Sequence, residues 1–229
     1  MDVVYCVKAG ENNEELRHSL RSLVNLPHRK VWIFGYVPSW VQNVEKRPKI
    51  QVGGNKWEKT ADSLWQIATE EGLTENFILF NDDFFVMNPQ ETIPYWYDRT
   101  LAQRVGEFHS KRMFSAYTFR LDDAREALEK RGKTILNYEL HLPMIFNREK
   151  YKELWKLYPG IGAKRSLYGN EYNVGGKQRP DCKVYQTFGK VNTKIDFIST
   201  SDGTYRAGEV GRILRKKFNE RSIYECPTI

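Results

Sequence analysis

The 229-residue sequence lacks several features that would assign it to a special class of protein. It has no run of about 18 apolar residues, the length that a membrane-spanning helix requires. Its N-terminus, Met1-Asp2-Val3, lacks the basic segment that opens a secretion signal. Its three cysteines, Cys6, Cys182 and Cys226, are odd in number and form no CxxC pair, so they indicate neither a disulfide framework nor a zinc site. We therefore expect a soluble protein with reduced thiols and no membrane span, in the cytoplasm of a bacterium or of a virus-infected cell.

What the sequence does contain is a hydrophobic fraction of 40% and an aromatic fraction of 14%, which predict a folded chain with a substantial core. The net charge of +7 is unevenly distributed. Residues 1–149 hold 20 Lys and Arg against 21 Asp and Glu, whereas residues 150–229 hold 16 against 8. The basic last third favours an anionic partner, which could be a nucleotide diphosphate, a polyanionic glycan or nucleic acid. Solubility alone is the simpler explanation of the same asymmetry.

Two adjacent acids, Asp82 and Asp83, follow the apolar run Phe77–Phe80 and Asn81, and apolar residues resume at Phe84. A continuous apolar run is typical of a strand buried on both faces, and open α/β sheets bind ligands at the carboxyl ends of their strands. Carboxylates with apolar neighbours are costly to bury without a positive partner. A hard divalent cation that also holds a diphosphate is one such partner. The alternative is a pair of acids that cap a turn or meet Lys and Arg side chains at the surface.

Hydrophobic periodicity predicts strands alternating with helices along most of the chain. Strands are predicted at residues 2–7, 30–36, 50–52, 77–80, 183–188 and 194–200. Helices are predicted at residues 14–23, 56–71, 121–131, 148–158 and 208–219, and residues 169–182 are predicted to form an irregular loop. Because this alternation is typical of parallel sheets, we predict an α/β fold with a mostly parallel central sheet flanked by helices.

Other segments carry single candidate residues. The loop Gly53-Gly54-Asn55 could approach a ligand closely, and Asp62 lies on a helix that leads into the Asp82 strand. His141, flanked by apolar residues and followed by Pro143, is either a hydrogen-bonded structural residue or a general base near neutral pH. The aromatic and basic stretches at residues 94–99 and 108–114 could stack on sugars or bases, or pack as a partly buried cluster.

Four stretches together resemble the Stealth family of sugar-phosphate transferases, which includes hexose-1-phosphate transferases of bacterial capsular polysaccharides and N-acetylglucosamine-1-phosphotransferase. The first consists of Asp2–Tyr5, the helix segment Glu15–Ser22 and Val37–Trp40. The second is Asn81–Phe85, preceded by a helix with Asp62 where family members usually carry Glu. The third is His141-x-Pro143 with Arg165 downstream, and the fourth joins Ser201-Asp202 to Ser222-x-x-Glu225. The similarity covers nearly the whole chain in a compact version.

The resemblance implies a nucleotide-sugar-binding fold of the glycosyltransferase A type and dependence on a divalent cation, Mg²⁺ or Mn²⁺. It implies transfer of a hexose 1-phosphate, such as GlcNAc-1-phosphate, from a UDP-sugar donor to an acceptor hydroxyl, with release of UMP. Such phosphoryl transfer depends on positioning and charge neutralisation. We expect one catalytic domain, in which residues 1–90 bind the donor, residues 91–135 form an aromatic and helical insertion, and residues 136–229 form a basic acceptor side. No obligate protein partner is indicated.

For this reaction we assign roles as hypotheses. Asp82 and Asp83 hold the metal and the diphosphate, and Asp2 and Asp202 complete an acidic pocket. Arg165 neutralises the transition state, and His141 takes the acceptor proton. The candidate catalytic residues are His141, Asp202, Arg165 and Asp62. The candidate substrate-binding residues are Asp2, Lys8, Arg17, Asn55 and Asn81.

Two other functions are compatible with the sequence. The same site could transfer the sugar itself, with release of UDP, to a glycan, a polysaccharide or a modified base in viral DNA, where the basic residues would follow the phosphates. A nucleic-acid-binding protein without enzymatic activity would explain the basic run from Arg212 to Lys217. It would give no reason for acids at strand ends, which repel phosphate unless a metal intervenes.

Overall fold

We describe the protein from a computed structural model. The structure describes residues 1–10, 12–49, 56–186 and 188–227, without the side chains of residues 56–59 and 62. The chain divides into two compact units. Unit 1 comprises Met1–Ile93, His141–Arg148 and Cys182–Ile229, and unit 2 comprises Pro94–Leu140 and Glu149–Asp181. That the chain works as one catalytic domain stays a prediction.

Strands and helices alternate along the chain. The strands are β1 (Asp2–Val7), β2 (Val31–Gly35), β3 (Glu45–Pro48), β4 (Asn76–Asn81), β5 (Phe84–Val86), β6 (Trp96–Tyr97), β7 (Met144–Asn147), β8 (Lys177–Gln178) and β9 (Phe197–Ser199). The helices are α1 (Glu14–Ser22), α2 (Lys56–Thr69), α3 (Leu101–Ser110), α4 (Ala116–Lys130), α5 (Arg148–Leu157), α6 (Lys164–Glu171), α7 (Asp202–Ala207) and α8 (Glu209–Lys217).

Unit 1 is built on a central sheet with the strand order β3-β2-β1-β4-β7. The first four strands are parallel, and β7 runs antiparallel to β4. The apolar residues of β1 and β4 are buried on both faces, as parallel strands covered by other elements require. Helix α2 packs against β1 and β2. The predicted α/β fold with a mostly parallel central sheet is therefore confirmed.

A second, two-stranded sheet in unit 1 brings distant parts of the chain to the end of β4. Strand β5, which follows the Asp82-Asp83 turn, pairs antiparallel with β9, and Phe84 lies opposite Ser199. Helix α1 contacts β5, where the Ser19 hydroxyl donates to the Phe84 carbonyl and the Val86 amide donates to the Ser22 hydroxyl at 3.1 Å. Helices α7 and α8 follow β9 directly. The segment after residue 181 is thereby placed beside the β4–β5 turn.

Three local predictions need correction or lie outside the description. The strand predicted at 183–188 is wrong, because within the described residues Lys183 forms only an isolated bridge with Ser199. The loop predicted from residue 169 is partly wrong, because α6 continues to Glu171. The strand predicted at 50–52 lies outside the described residues. Strand β3 was not predicted, because its residues, Glu-Lys-Arg-Pro, carry no apolar pattern at the sheet edge.

Unit 2 is mainly helical. Helix α4 packs against both α3 and α6, and β6 pairs in parallel with β8. Helix α3 begins with a capping box in which the Thr100 hydroxyl accepts from the Gln103 amide and the Gln103 side chain accepts from the Thr100 amide. In the described parts of both units, no helix has the length and apolar character needed to cross a membrane.

Candidate active site

The two adjacent acids lie in the turn that joins β4 to β5, at the carboxyl end of β4. Both side chains are half-buried. Parallel pairing places Cys6 of β1 opposite Asn81, so the segment that follows β1, including Lys8, leaves the sheet at the same edge. The turn is therefore at the edge where open α/β sheets bind ligands.

Asp83 has positive and polar partners. The Lys183 ammonium lies 3.2 Å from its Oδ2, and the Ser199 hydroxyl donates to the same oxygen at 3.0 Å. Ser199 is fully buried at the end of β9, and the Asp83 carbonyl accepts from the Thr200 amide at 3.3 Å. Asp83 is thus fixed to the β9 segment by both its backbone and its side chain.

Asp82 lacks such partners among the described residues. Burial, followed by the charges of Asp83 and Glu15, raises the pKa of Asp82 to about 7, and the charge of Lys8 offsets this only in part. The pKa of Glu15 is also raised by burial, although the Thr200 hydroxyl donates to its Oε1 at 2.7 Å. The turn therefore concentrates negative charge that the described side chains around Asp82 offset only in part.

Asp202 and Lys8 form the outer, exposed part of the same cluster. Asp202 lies in the first turn of α7, which Ser201 caps through a hydrogen bond to the Thr204 amide. Its Oδ2 is 3.5 Å from the Lys8 ammonium. An ion pair this exposed adds little to stability. Its relevance is electrostatic, because the charge of Asp202 contributes to the raised pKa of Glu15.

His141 lies on the same edge of the sheet. Because β7 runs antiparallel to β4 and Met144 lies opposite Leu79, residues just before β7 emerge beside the carboxyl end of β4. The Cys182 thiol donates to the His141 carbonyl at 2.7 Å, and the Cys182 carbonyl accepts from the Ser199 amide at 3.1 Å. These bonds connect the backbone of His141 to the segment that holds Asp83. The half-buried imidazole contacts the ring of Tyr185 edge-on.

Asp2 lies at the opposite edge of the sheet. It is the first residue of β1 and lies opposite Phe77 of β4. Four residues of strand separate this position from Asn81 at the carboxyl end of β4, a distance of about 13 Å. Its buried carboxylate accepts from Arg29 Nε at 2.8 Å and Nη2 at 2.7 Å, Trp32 Nε1 at 3.0 Å and the Thr74 amide at 3.1 Å. Burial would raise its pKa, but these bonds outweigh that effect and lower it. The prediction that Asp2 completes the acidic pocket is therefore wrong: its role in the fold is to hold the start of the sheet.

Arg17 lies on α1 and contacts residues outside the acidic turn. Its guanidinium stacks on the Trp40 ring, 4.6 Å from the centroid, and lies 3.8 Å from Glu225. Glu225 itself accepts from both Nε and Nη2 of Arg21 at 2.7 Å. These contacts join the first and fourth of the stretches that carry the family resemblance. The cleft at α1 has a volume of about 400 Å³ and is lined by Asn12, Glu14, Arg17, His18 and Arg21.

The remaining candidates have separate positions. Asn81 is exposed at the end of β4. Arg165 lies in α6 of unit 2, where its charge acts on the buried carboxyl of Glu139. Asp62 lies in α2, but its side chain is outside the described residues, as is the whole of Asn55. The roles of these four residues stay predictions.

Sequence reasoning missed four residues of this site: Glu15, Lys183, Ser199 and Thr200. Glu15 follows the signals for a helix start, so a favourable interaction with the helix dipole accounts for it without a ligand. Lys183 is one cation among many in the basic last third. Its contact with Asp83 spans 100 residues and depends on the pairing of β5 with β9, for which short segments carry no signal.

The acidic turn matches the needs of a hard divalent cation. Carboxylate oxygens suit Mg²⁺ and Mn²⁺, and a carboxyl whose raised pKa is only partly offset by a described cation gains from such a partner. In the described parts of the chain, no group of three or more His, Cys, Asp or Glu side chains is placed to enclose a metal. The protein would therefore supply one or two carboxylates, and the remaining ligands would come from substrate phosphates and water, as is usual for Mg²⁺.

No protein-family profile matches the chain, and no curated protein sequence matches it. Among solved structures, it is similar to the galactosyltransferase LgtC in complex with donor and acceptor sugar analogs, with 9% identity, a TM-score of 0.41, and coverage of 78% of this chain and 72% of that one. The glycosyltransferase GlyE of Streptococcus pneumoniae TIGR4 gives 9% identity, a TM-score of 0.37, and coverage of 78% and 44%. Mouse xyloside xylosyltransferase 1, in its apo form, gives 10% identity and a TM-score of 0.36, with coverage of 100% of this chain and 95% of that one. Similarity this low carries no argument about activity.

Proposed function

We propose that this protein is a divalent-cation-dependent transferase that uses a nucleotide-sugar donor and moves a hexose 1-phosphate to an acceptor hydroxyl. One observation carries the proposal: Asp82, whose pKa is raised to about 7, lies beside Asp83 at the carboxyl edge of a mostly parallel sheet, and among the described side chains only Lys8 partly offsets its charge. The choice of sugar-phosphate transfer over transfer of the sugar alone rests on the resemblance of the four sequence stretches to the Stealth family.

Asp82 and Asp83 would hold the cation, which when bound neutralises charge on the donor diphosphate. Around them, this chain provides two ammonium groups for the same diphosphate. Lys183 is already held at the turn by Asp83 at 3.2 Å, and Lys8 is held by Asp202 at 3.5 Å. Both pairs would reorganise as phosphate oxygens replace carboxylates as partners. In phosphoryl transfer, positioning and charge neutralisation of this kind supply most of the rate enhancement.

His141 would accept the proton of the acceptor hydroxyl. The residue emerges at the same sheet edge, and its backbone is fixed through Cys182 to the segment that carries Ser199. The acceptor oxygen would attack the phosphorus attached to the sugar, the bond from that phosphorus to the bridging oxygen would break, and UMP would leave. If the acceptor oxygen attacks the anomeric carbon instead, the sugar alone is transferred and UDP leaves.

The released nucleotide tests this proposal directly. The purified protein would be incubated with Mn²⁺, a panel of UDP-sugars and either a hexose acceptor, a polysaccharide or hydroxymethylated DNA, and the nucleotide would be identified by chromatography. UMP is the expected product. UDP would refute sugar-phosphate transfer and establish glycosyl transfer, and release that depends on DNA would identify the acceptor. Loss of turnover in EDTA is expected in either case.

Variants distinguish this site from an activity elsewhere in the chain. Asp82→Asn and His141→Ala should each lower kcat by about a hundredfold or more, because each removes a group that acts on the reacting phosphate or acceptor. Glu45→Gln is the matched control in unit 1. Glu45 lies in the edge strand β3 and forms an exposed ion pair with Lys30. Near-native turnover in both site variants would refute the assignment of this site.

A further inference from the structure

The turn between α3 and α4, residues 111–115 of unit 2, places large apolar side chains in solvent. Met113 is 52% exposed and Phe114 is 61% exposed, and Phe119 in the first turns of α4 is 56% exposed. Single exposed apolar residues are common on protein surfaces, but three within seven residues are a local concentration. We define Met113, Phe114 and Phe119 as the apolar tip.

The backbone around the apolar tip is well hydrogen-bonded. The Met113 amide donates to the Phe108 carbonyl at 2.8 Å, and the Met113 carbonyl accepts from the Thr118 hydroxyl at 2.9 Å. The Ser115 hydroxyl caps α4 by accepting from the Thr118 amide at 3.2 Å. The exposure of Met113 and Phe114 therefore follows from a turn that its own hydrogen bonds define.

The charge next to Met113 and Phe114 is mainly positive. Residues 108–121 contain Lys111, Arg112, Arg120 and His109 and no Asp or Glu, and Asp122 and Asp123 follow in the next turn of α4. Arg112 adopts a left-handed backbone conformation, φ 54°, at the turn, and it forms no ion pair within the described residues. Lys111 lies 2.6 Å from Glu107, which is itself shared with Arg99 and Arg104 and so leaves the local balance positive.

We propose that the apolar tip inserts into the surface of an anionic phospholipid bilayer. Two interactions bind proteins to such surfaces: burial of apolar area in the headgroup region, and attraction of Lys and Arg to anionic lipids. The apolar tip would provide the first, and the cations beside it would provide the second. A nucleic acid would use the cations and could stack its bases on the two Phe rings, but it has no apolar interior to receive the Met113 side chain. A glycan would use hydrogen-bonding groups next to an aromatic face, whereas the apolar tip has two phenyl rings and a thioether.

Flotation of the whole 229-residue chain with vesicles tests the proposal. Binding is expected to vesicles containing about 30% phosphatidylglycerol, with weak binding to pure phosphatidylcholine and release at high salt, because surface attraction is screened within a Debye length. Met113→Ser with Phe114→Ser should lower the partition coefficient about 30-fold, since both side chains then contribute no apolar burial. Lys111→Gln with Arg112→Asn should lower it about tenfold on anionic vesicles only.

Two controls change side chains that are more exposed than Met113, Phe114 and Lys111. Val24→Ser changes an apolar side chain that is 84% exposed in unit 1, and Lys130→Gln changes an exposed lysine at the other end of α4. Both should keep the binding of the original chain. Circular dichroism should show all variants folded, because surface substitutions of this kind change stability by about 0.5 kcal/mol or less.

Three results would overturn the proposal. The first is an absence of binding to anionic vesicles by the original chain. The second is equal loss in the controls and in the double variants, which would indicate nonspecific adsorption. The third is concentration-dependent dimerisation, measured by light scattering, that Phe114→Ser abolishes, which would make a second copy of the chain the partner of the apolar tip.

Discussion

The same substitution, Asp to Asn, should change the stability of the fold in opposite directions at the two adjacent carboxylates of the β4–β5 turn. Asp82→Asn removes a charge that burial and neighbouring acids disfavour, whereas Asp83→Asn removes a charge that Lys183 and Ser199 stabilise. At pH 8, without metal, we expect the first variant to be more stable than the original protein. We expect the second to be less stable by about 1–3 kcal/mol, the usual cost of losing a hydrogen bond to a charged partner.

The gain in stability expected for Asp82→Asn follows from the pKa of Asp82. A rise from the ordinary value of 3.8 to about 7 corresponds to a ceiling of about 4 kcal/mol. Because solvent still reaches this half-buried group, we expect about 1–2 kcal/mol, or about 2–8 °C in Tm. The unfolded chain loses this proton near pH 3.8 and the folded chain near pH 7. The penalty in the original protein therefore grows between those values, and the gain in the variant should shrink as the pH falls from 8 towards 5.

Thermal denaturation in EDTA and in Mn²⁺ measures both effects. Mn²⁺ should stabilise the original protein by about 2.7 kcal/mol at a hundredfold excess over Kd and should stabilise Asp82→Asn much less. Two results would refute the reasoning. One is a loss of stability in Asp82→Asn at pH 8, which would mean that the carboxylate has a cationic partner. The other is equal stabilisation of both proteins by Mn²⁺, which would place the cation elsewhere.

Two further predictions concern ion pairs outside the acidic turn. Glu225→Gln should lower the free energy of unfolding by about 3 kcal/mol, because it breaks a buried bidentate pair with Arg21. The control Glu209→Gln, in an exposed pair with Arg212, should change it by less than about 0.5 kcal/mol. Equal losses of the two variants in denaturant titrations would contradict this difference in burial. Burial would raise the pKa of Glu171, but hydrogen bonds, first among them that from Arg131, lower it to about 2. The ionised carboxylate therefore stabilises the fold in full above pH 4.5, and this stabilisation is lost as the pH falls towards 2. Glu171→Gln should therefore cost about 1–2 kcal/mol at pH 7 and much less at pH 3, and a cost independent of pH would disprove this.

The sequence was sufficient to locate the acidic turn because two strong local signals coincide there. An apolar run long enough for one buried strand ends in two acids, and the alternation of strands and helices indicates a parallel sheet. The same reasoning should have excluded Asp2. In a parallel sheet, a residue that opens β1 and residues that follow β4 lie at opposite edges, so strand direction alone separates Asp2 from Asp82.

Long-range pairing accounts for what could not be predicted. Lys183 and Ser199 reach Asp83 only because β5 pairs with β9, and a three-residue strand has too little pattern to indicate its partner. The charge state of each acid depends on these contacts. Whether an Asp at a strand end is paired with a cation, like Asp83, or only partly offset by the described side chains, like Asp82, therefore follows from the tertiary structure.

The balance of charge at the acidic turn constrains how a donor could bind. The cluster brings four carboxylates together with two ammonium groups: Glu15, Asp82, Asp83 and Asp202 with Lys8 and Lys183. If all are ionised, its net charge is about −2, which repels a diphosphate. Either protons or a divalent cation must offset that charge before the donor binds. Because protonation of Asp82 would remove a carboxylate from the proposed metal site, the two solutions compete, and the cation gains as the pH rises above about 7. A donor that bound equally well in EDTA at pH 8 would be inconsistent with this site.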